Sequence, residues 1–201
     1  MIPALSIDEI CERVKDRYDY DESRIVGIML ARYNTQLSKQ IINDCYSYWH
    51  YYADKDFDMF WLGYGEYSAD DKEDIIILNF PENRTRHFFD TKEFLRSKKI
   101  IKDYTSSKFV NKDTVQLILV NYHHGNLHFD EHIVINLEEN LDMYLSGIRQ
   151  LVSEIIDDTA KYSDIRELHN AMLKDEFRAK IKKTSISVAK EALGPLSPLI
   201  E

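Results

Sequence analysis

The stretch FDMFWLGYGEY, residues 57–67, is apolar on both of its alternating faces. Phe57, Met59 and Trp61 fall on one face, and Phe60, Leu62 and Tyr64 on the other. Side chains alternate across a strand, so a strand that is apolar on both sides must be covered on both sides. That demands the middle of a sheet with helices layered above and below it. RIVGIMLARY reads as a second strand over 24–32, and DIIILNF over 74–80, stopped by Pro81. TVQLILVNYHH and LHFDEHIVINLEE read as two further strands joined around Gly125-Asn126, a glycine-first sequence that suits a two-residue hairpin loop.

Helical patterns lie between these runs. SIDEICERVKDRYD opens on Ser6 as a cap, with Glu9 three residues later to complete a capping box. LSKQIINDCYSYWHYYADK follows Asn34 and Thr35 as candidate caps and places Ile41, Cys45, Tyr48, Trp49 and Tyr52 on one face. TKEFLRSKKIIKDYTSS is a third helix, capped by Asp90 or Thr91. From Leu141 apolar residues recur three and four apart through Ile148, Leu151, Val152 and Ile155. A new helix beginning at Ser163-Asp164 then carries Leu168, Met172, Leu173, Phe177 and Ile181. The closing GPLSPLIE, with two prolines, reads as a loose tail.

The expectation is an α/β domain over 1–140 built on a layered mixed sheet, followed by a helical C-terminal arm over 141–201 that packs on the domain or on a partner. With DIIILNF at an edge, the remaining order βαβαββα resembles that of thioredoxin-like domains. The resemblance is one of element order alone. Where that family carries redox cysteines this chain has Tyr33-Asn34-Thr35-Gln36, and no proline precedes Thr114 to supply the usual cis-proline. Redox chemistry is excluded on those residues, and element order by itself carries no function.

The chain shows no signal-peptide pattern and no apolar run of membrane-spanning length, so a cytoplasmic protein without membrane contact is expected. Cys11 and Cys45 form neither a disulfide framework nor a CxxC unit, and both fall on apolar helix faces. The net charge of −9 weighs against general nucleic-acid binding, but it is uneven: Asn83–Lys108 holds eight basic residues against three acids. Arg84, Arg86, Arg96, Lys98, Lys99 and Lys102 are therefore the candidate contacts to an anion or nucleic acid. The acids Asp70, Asp71, Glu73 and Asp74 form one contiguous run, as a solvated loop does. No G-x-S-x-G elbow, Walker loop or HExxH helix is present.

NYHHGNLHFDEH, residues 121–132, holds four of the seven histidines. A turn at His124–Leu127 pairs His123 with His128, Asn121 with Asp130 and Leu119 with His132, all on one face. His132 then lies about 13 Å from His128, too far for one zinc ion. The candidate metal set is His123, His128 and Asp130, to be completed by a remote donor such as His50, His87 or His169. A pH-sensitive surface and an ordinary polar hairpin face are the other readings.

Tyr46 and Tyr51 fall off the core face of their helix and are candidate interface residues, together with Ile148, Ile155, Leu168 and Met172 of the arm. The functional expectation is a non-catalytic interaction or assembly component of a cytoplasmic complex, with a protein partner or a second copy and no cofactor. The alternative is nucleic-acid or anion binding through 83–108, extending to metal-assisted hydrolysis with a divalent metal at His123 and His128.

Overall fold

The computed structural model describes residues 2–52, 57–66, 75–78, 87–105, 113–138 and 145–174. The run 70–74, Arg84 and Arg86, residues 175–201 with the expected Phe177 and Ile181 positions, and the closing GPLSPLIE lie outside these residues, as do the side chains of Tyr51, Tyr52 and Met172. The described elements are β1 (Ile2–Ala4), α1 (Ile7–Arg17), β2 (Arg24–Leu30), α2 (Gln36–Tyr52), β3 (Asp58–Leu62), β4 (Tyr64–Glu66), β5 (Ile75–Leu78), β6 (His87–Asp90), α3 (Thr91–Thr105), β7 (Gln116–His123), β8 (Asn126–Asn136), α4 (Leu145–Thr159) and α5 (Ile165–Lys174).

A five-stranded sheet runs in the order β1-β3-β2-β7-β8, and a three-stranded one in the order β4-β6-β5. β3 lies parallel between β1 and β2, while β7 and β8 continue the sheet antiparallel. The first part of the doubly apolar run, β3, therefore holds the interior position that its pattern demands, and all five β3 residues are buried. The chain steps outward from β1 to β2 and back to β3. Right-handed crossovers in opposite directions place α1 and α2 on opposite faces. α3 joins α1, and α4 joins α2. An α/β layered fold is what these elements build.

Local chemistry sets the ends. Ser6 caps α1, its Oγ accepting from the Glu9 N–H at 3.2 Å, while Glu9 reaches back to the Leu5 N–H at 2.8 Å. Thr35 and Ser38 cap α2 reciprocally at 3.0 Å. Asp90 caps α3 through the Glu93 N–H at 3.0 Å. Asn121 of β7 accepts the Ile165 N–H at 2.9 Å and donates to Asp164 at 3.2 Å, tying the start of α5 to the sheet.

Three sequence expectations need correction. The run 57–67 is not one strand: Gly63, at φ 84°, ends β3 and starts β4 in the second sheet. Its N–H donates to Ala4 at 2.8 Å and its carbonyl accepts from the Asp90 N–H at 2.8 Å, so one left-handed residue joins the two sheets. The hairpin loop is His124-Gly125, not Gly125-Asn126. Both loop residues have positive φ, 48° and 72°, and His123 pairs with Asn126. Tyr46 is not on the surface. The buried stripe of α2 runs through Ser38, Ile41, Ile42, Cys45, Tyr46 and Trp49, which turns Tyr46 inward and leaves Tyr48 at 38 % exposure. Tyr46 packs against Trp61 at 4.9 Å and against His87 at 5.2 Å between ring centroids.

Candidate functional site

Asn121 pairs with His128, but Val120 pairs with His132, so Phe129, Asp130 and Glu131 have no partner across the ladder. This bulge re-aims the side chains beyond it. The face-sharing set inferred from a regular hairpin is therefore broken. His123 and His128 do meet, stacked at 3.6 Å with 7° between their planes. Imidazole lone pairs lie in the ring plane, so two parallel rings do not aim at one point about 2.0–2.1 Å from both. The His128 Nε2 instead sits 3.2 Å from the His123 carbonyl, and its Nδ1 lies 4.0 Å from Asp130. Among the described residues no group of three or more His, Cys, Asp or Glu side chains is placed to hold a metal ion.

His132 turns inward at 5 % exposure. Its Nδ1–H donates to the Phe129 carbonyl at 2.9 Å, and its Nε2 is buried with no hydrogen-bond partner. Burial pulls its pKa below the ordinary value. The folded state holds this ring neutral where the unfolded chain would take a proton. Stability is therefore complete above about pH 6.5 and falls as pH drops below it, by up to about 1.4 kcal/mol per pH unit. Chemical denaturation between pH 7.5 and 5 should show this slope, and His132→Gln should flatten it. An unchanged slope in the variant would place the titrating group elsewhere. Burial also lowers His123 and His169, with the same sign.

Of the basic candidates, Arg84 and Arg86 lie outside the described residues, and the others divide between ion pairs and the exposed side of α3. Arg96 faces Asp8 at 3.4 Å and Glu93 at 3.3 Å. Lys98 lies half-buried against Asp113 at 3.8 Å, and burial lowers its pKa. Asp113 also holds Arg32 at 3.1 Å and Asn34 at 2.9 Å, so this carboxylate draws the β2–α2 loop, α3 and the approach to β7 together. Lys99 and Lys102 remain on the exposed side of α3.

Ile148, Ile155 and Leu168 are at 4 %, 2 % and 1 % exposure within the chain itself. α4 packs on α2, and α5 on β7 and β8. The stripe read as an assembly seam is interior here because helices of this amphipathicity cover the sheet's own face. Cys45 is buried, which pushes its thiol up to about 11, and burial raises Cys11 as well. Neither has the character of an activated nucleophile.

What the fold does assemble is a groove of about 760 Å³ between α1, α3 and the start of β8. Its apolar wall includes Cys11, Ile100, Leu127 and Phe129, and Tyr104 stands over it at 69 % exposure. The Tyr104 and Phe129 rings stack with centroids 5.9 Å apart and 26° between planes. An exposed tyrosine on an apolar floor offers a large, stiff contact with a polar tip. The rim is acidic: Asp8, Asp103 and Asp130 line the groove against one lysine, Lys15. Asp8 already faces Arg96, while Asp103 has no ion pair among the described residues.

The groove was not read from the sequence because its walls lie far apart in the chain. Ile100 and Tyr104 share a helical face with i, i+4 spacing, which is equally the spacing of a core stripe. Among the described residues no helix is long and apolar enough to cross a membrane. No family model matches the chain, and neither a curated protein nor a solved structure matches it.

Proposed function

We propose that the chain is a non-catalytic protein-interaction component and that its docking surface is the groove between α1, α3 and β8. The occupant is a segment of a partner protein that carries cationic side chains between apolar ones. The observation that carries this reading is Tyr104, exposed above an apolar floor and flanked by Asp103 and Asp130. Tyrosine in such a setting is a favoured anchor for binding energy, and arginine is its favoured counterpart across an interface. The acidic rim gives the charge complementarity that selects the partner.

A capped hexapeptide alternating leucine and arginine is the probe, followed by chemical-shift titration of the full chain. Binding is expected to move the amides of Tyr104 and Leu127. Tyr104→Ala and Asp103→Lys should each weaken it by about tenfold or more, the range of an interface hot spot. Equal binding of a leucine–glutamate hexapeptide, or indifference to both substitutions, would overturn the reading.

A further inference from the structure

We propose that the partner segment docks in extended form, as a strand added to the outer edge of β8 over Asn126–Asp130. The inference rests on the groove being the docking surface and specifies how the segment is held there.

Among the described residues β8 is the last strand of its sheet and pairs only with β7. An edge strand presents outward-facing N–H and C=O groups along its free side. Among the described residues no backbone–backbone hydrogen bond from Asn126–Asp130 goes anywhere but to β7, and the one other backbone bond is that of the Phe129 carbonyl, which accepts from His132 Nδ1. The same five consecutive residues line the groove. Over the paired stretch Asn126–His128 side chains alone would contribute alternate positions, so consecutive lining there means that the wall is the strand's edge.

The two ends of this edge differ. At one end the His124-Gly125 loop closes the hairpin. At the other, the unpaired residues Phe129, Asp130 and Glu131 break the ladder, a device that normally blocks edge pairing. Five residues lie between the loop and the end of the groove wall, about 17 Å of extended chain. In this mode main-chain hydrogen bonds supply affinity, and alternate side chains supply selectivity. On an added strand one set of side chains would face the apolar wall under Tyr104 and the other the acidic rim. That matches the alternation of apolar and cationic residues required above.

A second copy of this chain is the natural competitor for a free edge. A second copy would bring its own acidic rim, Asp103 and Asp130, against this one, in a chain already at −9. Like charges placed opposite one another disfavour that pairing.

The test is N-methylation of the leucine–arginine hexapeptide on alternate amides, in two complementary sets, titrated against the full chain. On an added strand only one set of N–H groups faces the edge. Methylating that set should weaken binding by about tenfold or more, from the loss of several backbone hydrogen bonds. The other set should change it by less than about twofold, and amide exchange over Asn126–Asp130 should slow on binding. Equal effects of the two sets would overturn strand addition and leave the groove reading standing. Failure of the unmodified peptide to bind would overturn both. A concentration-dependent dimer that the peptide competes away would overturn the choice of partner in favour of a second copy.

Discussion

Trp61→Ala is expected to destabilise the protein by about 3–5 kcal/mol, the range for deleting a large buried aromatic side chain. Trp61 sits on the interior strand β3 at 0 % exposure, with ring centroids at 4.9 Å from Tyr46, 5.4 Å from Tyr64 and 6.0 Å from Trp49. Each aromatic pair adds about 0.5–1.5 kcal/mol beyond its buried area. The surrounding rings are themselves held: Tyr64 Oη donates to the Ala31 carbonyl at 2.6 Å, and Phe89 packs on Phe94 at 5.3 Å. Partners fixed in this way cannot close around the space left behind. The indole N–H of Trp61 is buried without an acceptor, so the loss is one of packing and not of a hydrogen bond. Trp61→Phe should therefore cost much less, because it removes an unsatisfied donor while keeping an aromatic ring. Urea denaturation followed by far-ultraviolet circular dichroism measures both. A loss below about 1 kcal/mol for the alanine variant would contradict the tight packing of this cluster.

The second large effect is expected at Gly63. An alanine there would hold a left-handed conformation at φ 84°, and its Cβ would lie 2.8 Å from Phe94 Cβ and 2.9 Å from Phe89 Cε2. The Phe94 Cβ is fixed to its own backbone, so relief requires α3 itself to move. Left-handed strain of about 1–2 kcal/mol adds to overpacking of about 1–3 kcal/mol, giving a loss of about 2–5 kcal/mol. Gly27→Ala is the control. Its closest neighbour is the tip of the Phe57 ring, at 2.6 Å from Cζ, and a ring tip can swing aside. Thermal unfolding should show a clearly larger fall for the Gly63 variant. Equal falls would mean that the junction between the two sheets tolerates a side chain.

The parts of this fold legible in the sequence are those whose signal is local. β2, β3, β7 and β8 announce themselves as apolar runs, and Ser6, Thr35 and Asp90 hold the caps their positions suggest. β1 and β6 were missed because Ile2–Ala4 and His87–Asp90 are too short to show a period; they are strands only because β3 and β4 pair with them. The hairpin loop moved by one residue, and the pairing next to it by two, because His124 adopts a left-handed conformation usually left to glycine or asparagine. The bulge then moved His132 into the interior, away from the set it was assigned to. Tyr46 and Tyr48 exchanged places because the buried stripe of α2 begins at Ser38, a polar residue that a hydrophobic count leaves out. The groove had no sequence signature at all, since it exists only where α1, α3 and β8 converge.

Trp49 and Trp61 are the chain's two tryptophans, and both lie in this one aromatic cluster with their rings 6.0 Å apart. Tryptophan emission therefore comes from a single place in the molecule, and the two indoles are close enough to exchange excitation. Among the described residues the His124-Gly125 hairpin end and α5 contribute no ring to that cluster. A local opening there leaves tryptophan emission unchanged, so a melt followed by that emission reports the aromatic cluster alone.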